Sequence, residues 1–410
     1  MVTQMSLNEY RVCVYGADSE SVKALQQVLD GLRPIEVIVA TSDPQQLAAG
    51  LDKPRIRALL VVLDPSPDDT LELIQLVMPE LPDLAVIGLS RRQDPQQIVS
   101  AIQAGCGQFV PLPAGSDDLI AVFEKLGVPV VPADAKGLRI CVIGPTGGSG
   151  ATTVACNLAL EMARLSHCEV ALADLHAGFG DVVQHFAVHP SRTIAELCVP
   201  ERTVEERTVR QVAKLLPCNV AVIPAPTDLA HPLQYDPECL RHALEVLSQV
   251  YHAVVIDTPR QPNGASWTVI ENAHSILLVM QLTANCLHHG KRLCDFLSEH
   301  GIPDGRVQLV VNRLREDFGS ISVQNVEERF GREVFATIPS DYELVRSSAD
   351  VSHPLLADAP DNPVRMAICN IARRLLGLRE TVRPVVQEQP SPRRSGLLGR
   401  LLRKQQPANS

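Results

Sequence analysis

Residues 138–160, LRICVIGPTGGSGATTVACNLAL, decide the fold of the longer part of this 410-residue chain. An apolar run is followed by a glycine-rich turn, by two threonines and then by an apolar segment with helical spacing. This order of strand, turn and helix is that of a P-loop, in which backbone N–H groups and a helix N-terminus hold a phosphate. Such loops usually carry a lysine directly before the threonines, but Ala151 stands at that position. The sequence therefore predicts a phosphate cradle that lacks its usual charge.

Polar residues at the ends of three further apolar runs complete the candidate site. Asp174 ends the run 169–174 and is the candidate catalytic residue, whereas Asp257 ends the run 253–257 and is predicted to hold Mg²⁺ through water. Asn312 and Arg313 follow the run 307–312, from which a side chain can reach a base. The predicted loop contacts are Gly147, Gly148, Ser149, Gly150, Ala151, Thr152 and Thr153, with Thr152 as the second position for Mg²⁺.

These positions favour a ligand site because ligands in open α/β sheets bind at the carboxyl ends of the strands. Each polar residue taken alone is also explained as a solvated strand end. The loop taken alone is also explained as a glycine-rich turn without a ligand. A dinucleotide-binding Rossmann domain fits less well, since two threonines follow the glycines.

The segment 138–378 resembles the MinD/ParA group of deviant P-loop ATPases, whose loop reads K-G-G-x-G-K-T-T. It is most similar to the TadZ/CpaE family of tad (Flp) pilus assembly and polar localisation proteins, whose loop often has alanine where Ala151 stands. The stretches 179–188 and 321–356 also look like that family. The resemblance covers roughly residues 9–378. It implies ATP and Mg²⁺ as cofactors, a homodimer, and protein partners in pilus or secretion machinery.

The chain departs from the MinD/ParA pattern at both lysines and at one carboxylate. Thr146 occupies the signature-lysine position, and His176 replaces the second aspartate of the family's D-x-D. Phosphoryl transfer depends on neutralising charge, and a single preorganised donor can lower the barrier by roughly 3–4 kcal/mol. We therefore expect a localisation or scaffold protein with little or no hydrolysis. The alternative is an active ATPase that cycles between membrane-bound and cytosolic states as MinD does.

The first segment, 9–127, alternates five predicted strands with helices, which indicates a flavodoxin-like doubly wound domain. It resembles the receiver domain of response regulators, with Asp64 at the phosphorylation position and Ser90 at the switch position. The acidic pair and the lysine of a receiver are missing, and Leu112 stands at the lysine position. We expect an interaction module; a phosphorylation-controlled output protein is the alternative. The predicted fold class is thus α/β, with two doubly wound parallel-sheet domains joined by a linker at 128–137.

Composition limits the kinds of partner. Hydrophobic residues make up 45% of the chain and aromatic residues 3%, which favours aliphatic α/β cores. A net charge of −10 argues against general nucleic-acid binding.

The 11 cysteines form no C-x-x-C pair and mostly lie in apolar runs, as expected in a reducing compartment. We see no signal peptide and no apolar run of about 20 residues, and so expect a cytoplasmic protein.

The tail 379–410 differs from the body, because it carries seven basic and two acidic side chains. Within 393–404, four leucines fall on one face of a helix and Arg400, Arg403 and Lys404 on the other, which is typical of an interfacial amphipathic helix. The pattern predicts contact with an anionic membrane surface, placing the protein peripherally at the inner face of the cell membrane. A tail that is solvated or that docks on a protein partner is the alternative.

Overall fold

The computed structural model describes residues 10–92, 94–128, 130–132, 136–188, 191–200, 204–227, 235–315, 321–341, 343–345, 355, 359 and 361–378. The chain divides into two compact units, with the boundary between residues 134 and 135. The predicted amphipathic helix at 393–404 lies outside the described residues. None of the helices in the described part of the chain combines the length and the apolar character that crossing a membrane requires.

The first unit alternates strands and helices. Its strands are β1 (Tyr10–Gly16), β2 (Leu32–Arg33), β3 (Ile35–Thr41), β4 (Ile56–Val62), β5 (Ala85–Ser90), β6 (Gln108–Pro111) and β7 (Val131–Pro132). Its helices are α1 (Ser19–Asp30), α2 (Pro44–Leu51), α3 (Pro67–Val77), α4 (Pro95–Ala104) and α5 (Ser116–Lys125). The order β3-β1-β4-β5-β6 forms a parallel sheet, which is the flavodoxin-like strand order, and apolar clusters pack on both of its faces.

Two features of the first unit differ from the sequence prediction. Helix α2 was not predicted, although Asp43 caps its N-terminus and a proline occupies its first turn. The segment predicted as a linker begins inside the unit, because Val128 and Val130 are buried and β7 pairs with β2. A run of valines and prolines can be a linker or an edge strand, and only the packing around it decides between them.

The second unit is larger. Its strands are β8 (Leu138–Ile143), β9 (Val170–Asp174), β10 (Lys214–Leu215), β11 (Val220–Ile223), β12 (Ala253–Thr258), β13 (Ser275–Met280), β14 (Val307–Leu314) and β15 (Val334–Pro339). Its helices are α6 (Ala151–Ser166), α7 (Val182–His185), α8 (Glu206–Val212), α9 (Pro237–Val250), α10 (Gly264–Asn272), α11 (Ala284–Glu299), α12 (Val323–Phe330) and α13 (Pro363–Leu375), with 3₁₀ turns at Ile194–Leu197 and Asp304–Arg306.

The sheet of the second unit has the order β10-β11-β9-β12-β8-β13-β14-β15 and is parallel except for the antiparallel edge strand β10. One face is covered by α6 and α13, and the other by α8 to α12. The apolar runs that predicted strands are buried on both faces, as parallel strands covered by helices must be. The predicted α/β class with two doubly wound parallel sheets is confirmed.

A buried ion pair joins the helix that follows the P-loop to the last described helix. Glu161 of α6 is 1% exposed and Arg365 of α13 is 6% exposed. The Arg365 guanidinium donates from Nε to Glu161 Oε1 at 2.7 Å, and Arg164 donates from Nε to Oε2 at 2.9 Å. Two cations therefore share one buried carboxylate, which orients α13 on α6.

The sheet order brings the predicted site residues to one edge. Strands β9, β12, β8, β13 and β14 are neighbours in the sheet, so their carboxyl ends lie side by side. Asp174 on β9 stands directly opposite Asp257 on β12 in the strand register, and the glycine-rich loop leaves the next strand, β8. This edge is where a ligand of such a fold binds.

Candidate functional site

The glycine-rich loop spans the seven residues between the end of β8 and the start of α6. Gly148 has φ 76° and Gly150 has φ 94°, so both occupy the left-handed region that glycine adopts without strain. The carbonyl of Gly150 accepts from the N–H of Val154 at 3.0 Å and begins the hydrogen bonding of α6. The loop thus turns sharply from strand into helix, and the helix N-terminus faces the loop.

Two amide side chains from neighbouring strands hold this loop. Gln281 donates from Nε2 to the Gly148 carbonyl at 2.7 Å, and Asn312 donates from Nδ2 to the Ser149 carbonyl at 2.9 Å. The carbonyl and the following N–H of a trans peptide point in opposite directions, so the N–H of Gly150 points away from Asn312. That N–H and the positive end of α6 favour an anion.

A cavity of about 780 Å³ lies in front of the loop. Its lining includes every predicted loop residue together with Arg313, His176 and Phe179. A smaller cavity of about 250 Å³ adjoins it, with Asn312, Arg313, Ile338 and Val364 in its wall. The larger cavity has room for a phosphate chain, and the smaller one offers a partly apolar recess beside it.

The predicted magnesium positions are in contact with each other. The Thr152 hydroxyl donates to Asp257 Oδ2 at 2.7 Å. Asp257 is fully buried, and its other oxygen, Oδ1, has no hydrogen-bond partner among the described residues. A buried carboxylate oxygen without a partner is costly, and a cation or a cation-bound water would satisfy it. The threonine, the aspartate and the loop therefore fit a phosphate-bound cation in shape, but the loop lysines that would add positive charge are absent.

Asp174 and His176 lie beside Asp257. Asp174 Oδ1 accepts from the His176 backbone N–H at 2.9 Å and lies 3.0 Å from His176 Nδ1, while Oδ2 accepts from the Val182 N–H at 3.3 Å. His176 Nδ1 is also 3.4 Å from Asp257 Oδ2. The imidazole of His176 thus lies beside two buried carboxylates, which a third carboxylate at this position would repel.

The pKa values of the Asp257 carboxyl and the His176 imidazole are both shifted by burial and by the charges around them. Burial raises the pKa of the Asp257 carboxyl to about 7, and the carboxylates of Asp174 and Asp181 act in the same direction against the opposing effects of His176 and Thr152. Burial lowers the pKa of the His176 imidazole, but its hydrogen bond to Asp174 and the surrounding carboxylates outweigh burial and raise it. Without a bound cation, the site therefore retains protons near neutral pH.

Replacing Asp257 with asparagine is expected to stabilise the ligand-free second unit at pH 8. Because the folded pKa of Asp257 is raised, its contribution to stability is full below about pH 4 and is lost as the pH rises through 7. Asparagine removes this loss, so Asp257→Asn should gain roughly 2–4 kcal/mol over wild type at pH 8 and little at pH 4. Unfolding followed by the fluorescence of Trp267, the single tryptophan, reports this unit.

The matched control is Asp295→Asn, which removes an exposed carboxylate on α11. Its effect on the free energy of unfolding should be small at both pH values. If Asp257→Asn unfolded at the same denaturant concentration as wild type at both pH values, the buried charge would not carry the proposed cost.

Gly150→Ala is expected to destabilise the second unit by roughly 2–4 kcal/mol. Alanine is strained at φ 94°, and its Cβ would lie 2.2 Å from Asn312 Nδ2. Asn312 would have to release the Ser149 carbonyl and leave a buried amide unpaired. Gly147→Ala is the control within the loop, since its Cβ would meet no atom within 4 Å. Equal unfolding midpoints for the two variants, measured by Trp267 fluorescence, would contradict this account of the loop.

Some residues have roles that the sequence did not indicate. The Asn312 amide, at a position predicted to reach a base, donates to the Ser149 carbonyl and holds the loop. Gln281 was not predicted, although it directly follows β13 at the same sheet edge and could have been found by that rule. Thr146, at the signature-lysine position, donates its hydroxyl to the Cys286 sulfur at 3.5 Å.

In the first unit, the two carboxylates near the predicted phosphorylation position are already hydrogen-bonded. Asp64 accepts from the backbone N–H of Arg91 at 2.6 Å. Asp18 caps α1 and accepts from the Ser21 hydroxyl, and the Arg91 guanidinium lies 3.6 Å from it. Ser90 is buried and accepts from the Arg92 N–H. These contacts give each polar group a structural role.

The residues that match a known protein family lie in the second unit. Residues 138–300 match a family described as AAA domain. The septum site-determining protein MinD of Synechocystis sp. is 25% identical over 244 residues, which is 58% of this chain and 89% of that protein. These matches support the MinD/ParA superfamily of P-loop ATPases for this unit, for which binding of a nucleotide and Mg²⁺ is the general property.

Solved structures show the same fold. A ParA-family ATPase from Chlorobium tepidum superposes with a TM-score of 0.54 at 19% identity, over 58% of this chain and 98% of that one. MinD from Pyrococcus horikoshii, solved with Mg-ADP, superposes with a TM-score of 0.52 at 18% identity, over 58% and 96%.

Proposed function

We propose that this chain is a localisation and scaffold protein for pilus or secretion machinery, held in its working shape by a nucleotide that it hydrolyses little or not at all. The observation that carries the proposal is a complete phosphate cradle with alanine and threonine at both lysine positions. Gly148 and Gly150 keep the left-handed turn, and Gln281 and Asn312 brace it. The left-handed turn and the two amide contacts keep the loop in the shape that binds phosphate, and this supports a bound ligand.

ATP with Mg²⁺ is the proposed ligand. The N–H of Gly150 and the N-terminus of α6 would bind phosphate oxygens, while Thr152 and Asp257 would hold the cation, the latter through water. A bound magnesium ion neutralises phosphate charge. The loop itself adds no cation, because Ala151 and Thr146 are neutral, and phosphoryl transfer without these charges is slow. Binding without turnover is the expected behaviour.

An active ATPase that cycles on and off a membrane is the second candidate. The observation in its favour is that Arg260 and Arg313 line the cavity. Either guanidinium could replace a lysine charge, since arginine binds phosphate as a fixed fork of donors. Turnover that is abolished by Asp174→Ala, which removes the candidate catalytic carboxylate, would support this reading.

The partners belong to the proposal as well. Phe179 is 76% exposed in the lining of the cavity, and a large exposed aromatic beside a site is a feature of protein contacts. We propose that a second copy of the chain covers this surface. The first unit would act as an interaction module that recruits pilus or secretion proteins at a cell pole, because its Asp64 and Asp18 are used structurally.

The tail would place the dimer at the membrane. Each basic residue near an anionic leaflet contributes about 1 kcal/mol, so two tails of a dimer bind better than one. Full-length protein is expected to sediment with vesicles of phosphatidylserine and not with neutral ones, and Leu401→Glu, which breaks the apolar face, should stay in solution. Equal sedimentation of the variant and wild type would argue against an amphipathic helix at 393–404.

Calorimetry of MgATP and MgADP binding, with a phosphate-release assay on the same full-length sample, tests the main proposal. Micromolar binding without phosphate release supports a nucleotide-held scaffold. Binding with release that Asp174→Ala abolishes favours the cycling ATPase. If neither nucleotide binds at millimolar concentration, the proposal of a nucleotide-held scaffold fails.

A further inference from the structure

Three potential metal ligands, two carboxylates and one imidazole, lie together at the carboxyl ends of β9 and β12. Asp174 and Asp257 are opposite each other on these strands, and His176 follows Asp174 by two residues. One carboxylate oxygen from each aspartate and one ring nitrogen of His176 all lie within 4.8 Å of one another. Both aspartates are buried, whereas the histidine side chain is 30% exposed. The cluster is therefore built into the sheet and is open on the histidine side.

The distances within this cluster are those of ligands around a small cation. His176 Nδ1 lies 3.0 Å from Asp174 Oδ1 and 3.4 Å from Asp257 Oδ2. Ligand atoms about 2.1 Å from one metal ion are separated by roughly 3.0 Å in an octahedron and roughly 3.4 Å in a tetrahedron. An ion can thus enter between these atoms with small movements of the side chains.

The other oxygen of the Asp257 carboxylate also points to a cation. Asp257 Oδ1 is buried and has no hydrogen-bond partner in the described part of the chain. The Asp174 carboxylate is held by the N–H groups of His176 and Val182, so its orientation is fixed without a ligand. Asp181 adds a third carboxylate to the surroundings of His176. A divalent ion held by both oxygens of the Asp257 carboxylate would contact Oδ2, which lies near His176, and would also satisfy the unpartnered Oδ1.

The nitrogen ligand decides which ion is preferred. Mg²⁺ takes oxygen ligands and keeps several waters, whereas imidazole suits Zn²⁺, Co²⁺ and Fe²⁺. We propose that Asp174, His176 and Asp257 bind a divalent transition-metal ion directly, with no nucleotide required. The site uses Asp257, as the proposed nucleotide site does, but it differs in its ligands and in its ion.

Titration with Co²⁺ tests the proposal on the full-length, reduced and chelator-treated protein in the absence of nucleotide. Wild type should bind one ion with micromolar affinity, show d–d absorption bands, and unfold at a higher temperature by Trp267 fluorescence. His176→Gln should weaken binding at least about tenfold and remove the thermal shift. His176→Asp restores an all-oxygen cluster and should lower the preference for Co²⁺ over Mg²⁺ by a similar factor.

The chain offers a matched control in His289→Gln, since His288 and His289 form a neighbouring pair on α11 with ring centroids 5.5 Å apart. This variant should bind Co²⁺ at the cluster as wild type does. Sulfur-to-metal charge-transfer bands would identify any binding at cysteines instead. The melting curves of both His176 variants without metal show whether they are folded.

Two results would overturn the proposal. Co²⁺ binding that is unchanged in His176→Gln would place the ion elsewhere. Absence of specific binding in wild type below millimolar Co²⁺ would mean that the histidine is simply a protonated bridge between the two carboxylates. Neither result depends on nucleotide, so a failure of ATP to bind leaves this inference standing, and the reverse also holds.

Discussion

Ala151→Lys is expected to strengthen MgATP binding by the second unit about 10- to 100-fold. Ala151 begins α6 and lines the cavity in front of the loop, so a lysine at this position can extend toward a bound phosphate. A hydrogen bond to a charged group contributes roughly 1.5–3 kcal/mol, and about 1.4 kcal/mol corresponds to a factor of ten. Calorimetric titration of wild type and variant under the same salt conditions measures the gain.

Ala151→Met is the control, because methionine adds length without charge. Lysine in the first turn of a helix also opposes the helix dipole, so the ligand-free variant should be slightly less stable than wild type, by about 0.3–1 kcal/mol. Ala151→Lys should thus raise the affinity for MgATP while lowering the stability of the ligand-free protein. Because these two changes have opposite signs, a gain in affinity cannot result from a general gain in stability. An equal affinity of the lysine and methionine variants for MgATP would show that phosphate does not occupy the loop as described.

Glu161→Gln is expected to destabilise the second unit by about 3–5 kcal/mol. Glu161 is the buried acceptor between Arg365 and Arg164, and glutamine keeps its shape while removing the negative charge that both guanidinium groups contact. Removing one partner of a buried pair costs far more than the pair contributes net. The measurement is the midpoint of denaturant unfolding followed by Trp267 fluorescence, since this residue lies in α10 of the same unit.

An exposed pair gives the comparison. Glu206 accepts from Arg210 Nε at 2.8 Å on α8, and both side chains are about half exposed. Glu206→Gln should change stability by less than about 1 kcal/mol. If the two variants unfolded at the same denaturant concentration, Glu161 would not be an obligatory partner of the buried arginines.

Much of the architecture follows from local patterns. The apolar runs before Asp174, Asp257 and Asn312 predict buried parallel strands, and the glycines after the first of the second unit's strands predict the P-loop turn. Parallel strands in such sheets end at a common edge, so the clustering of these polar residues also follows. The structure shows the adjacency of β9 and β12 and the register that sets Asp174 opposite Asp257.

Other features depend on contacts that no single segment contains. Gln281 holds the Gly148 carbonyl across 133 residues of sequence, and Glu161 meets Arg365 across 204. From the sequence alone, a carboxylate such as that of Glu161 is predicted to be exposed, because the arginine that pairs with it is distant in the chain. Similarly, the sequence predicts Val128 and Val130 to be linker residues, yet both pack in an apolar cluster of the first unit, next to a strand pairing of only two residues on each side.

The ion pair between α6 and α13 also limits how freely the parts of this protein can be exchanged. A chimera that received the last helix of a relative would keep Glu161 but acquire whatever residue that relative has at position 365. Unless that residue is a cation, Glu161, which lies in the helix that follows the P-loop, would lose one of the two arginines that share its buried carboxylate. Helices α6 and α13 lie at opposite ends of the unit's sequence. Because Glu161 and Arg365 join them, exchanging one helix requires a matching change in the other.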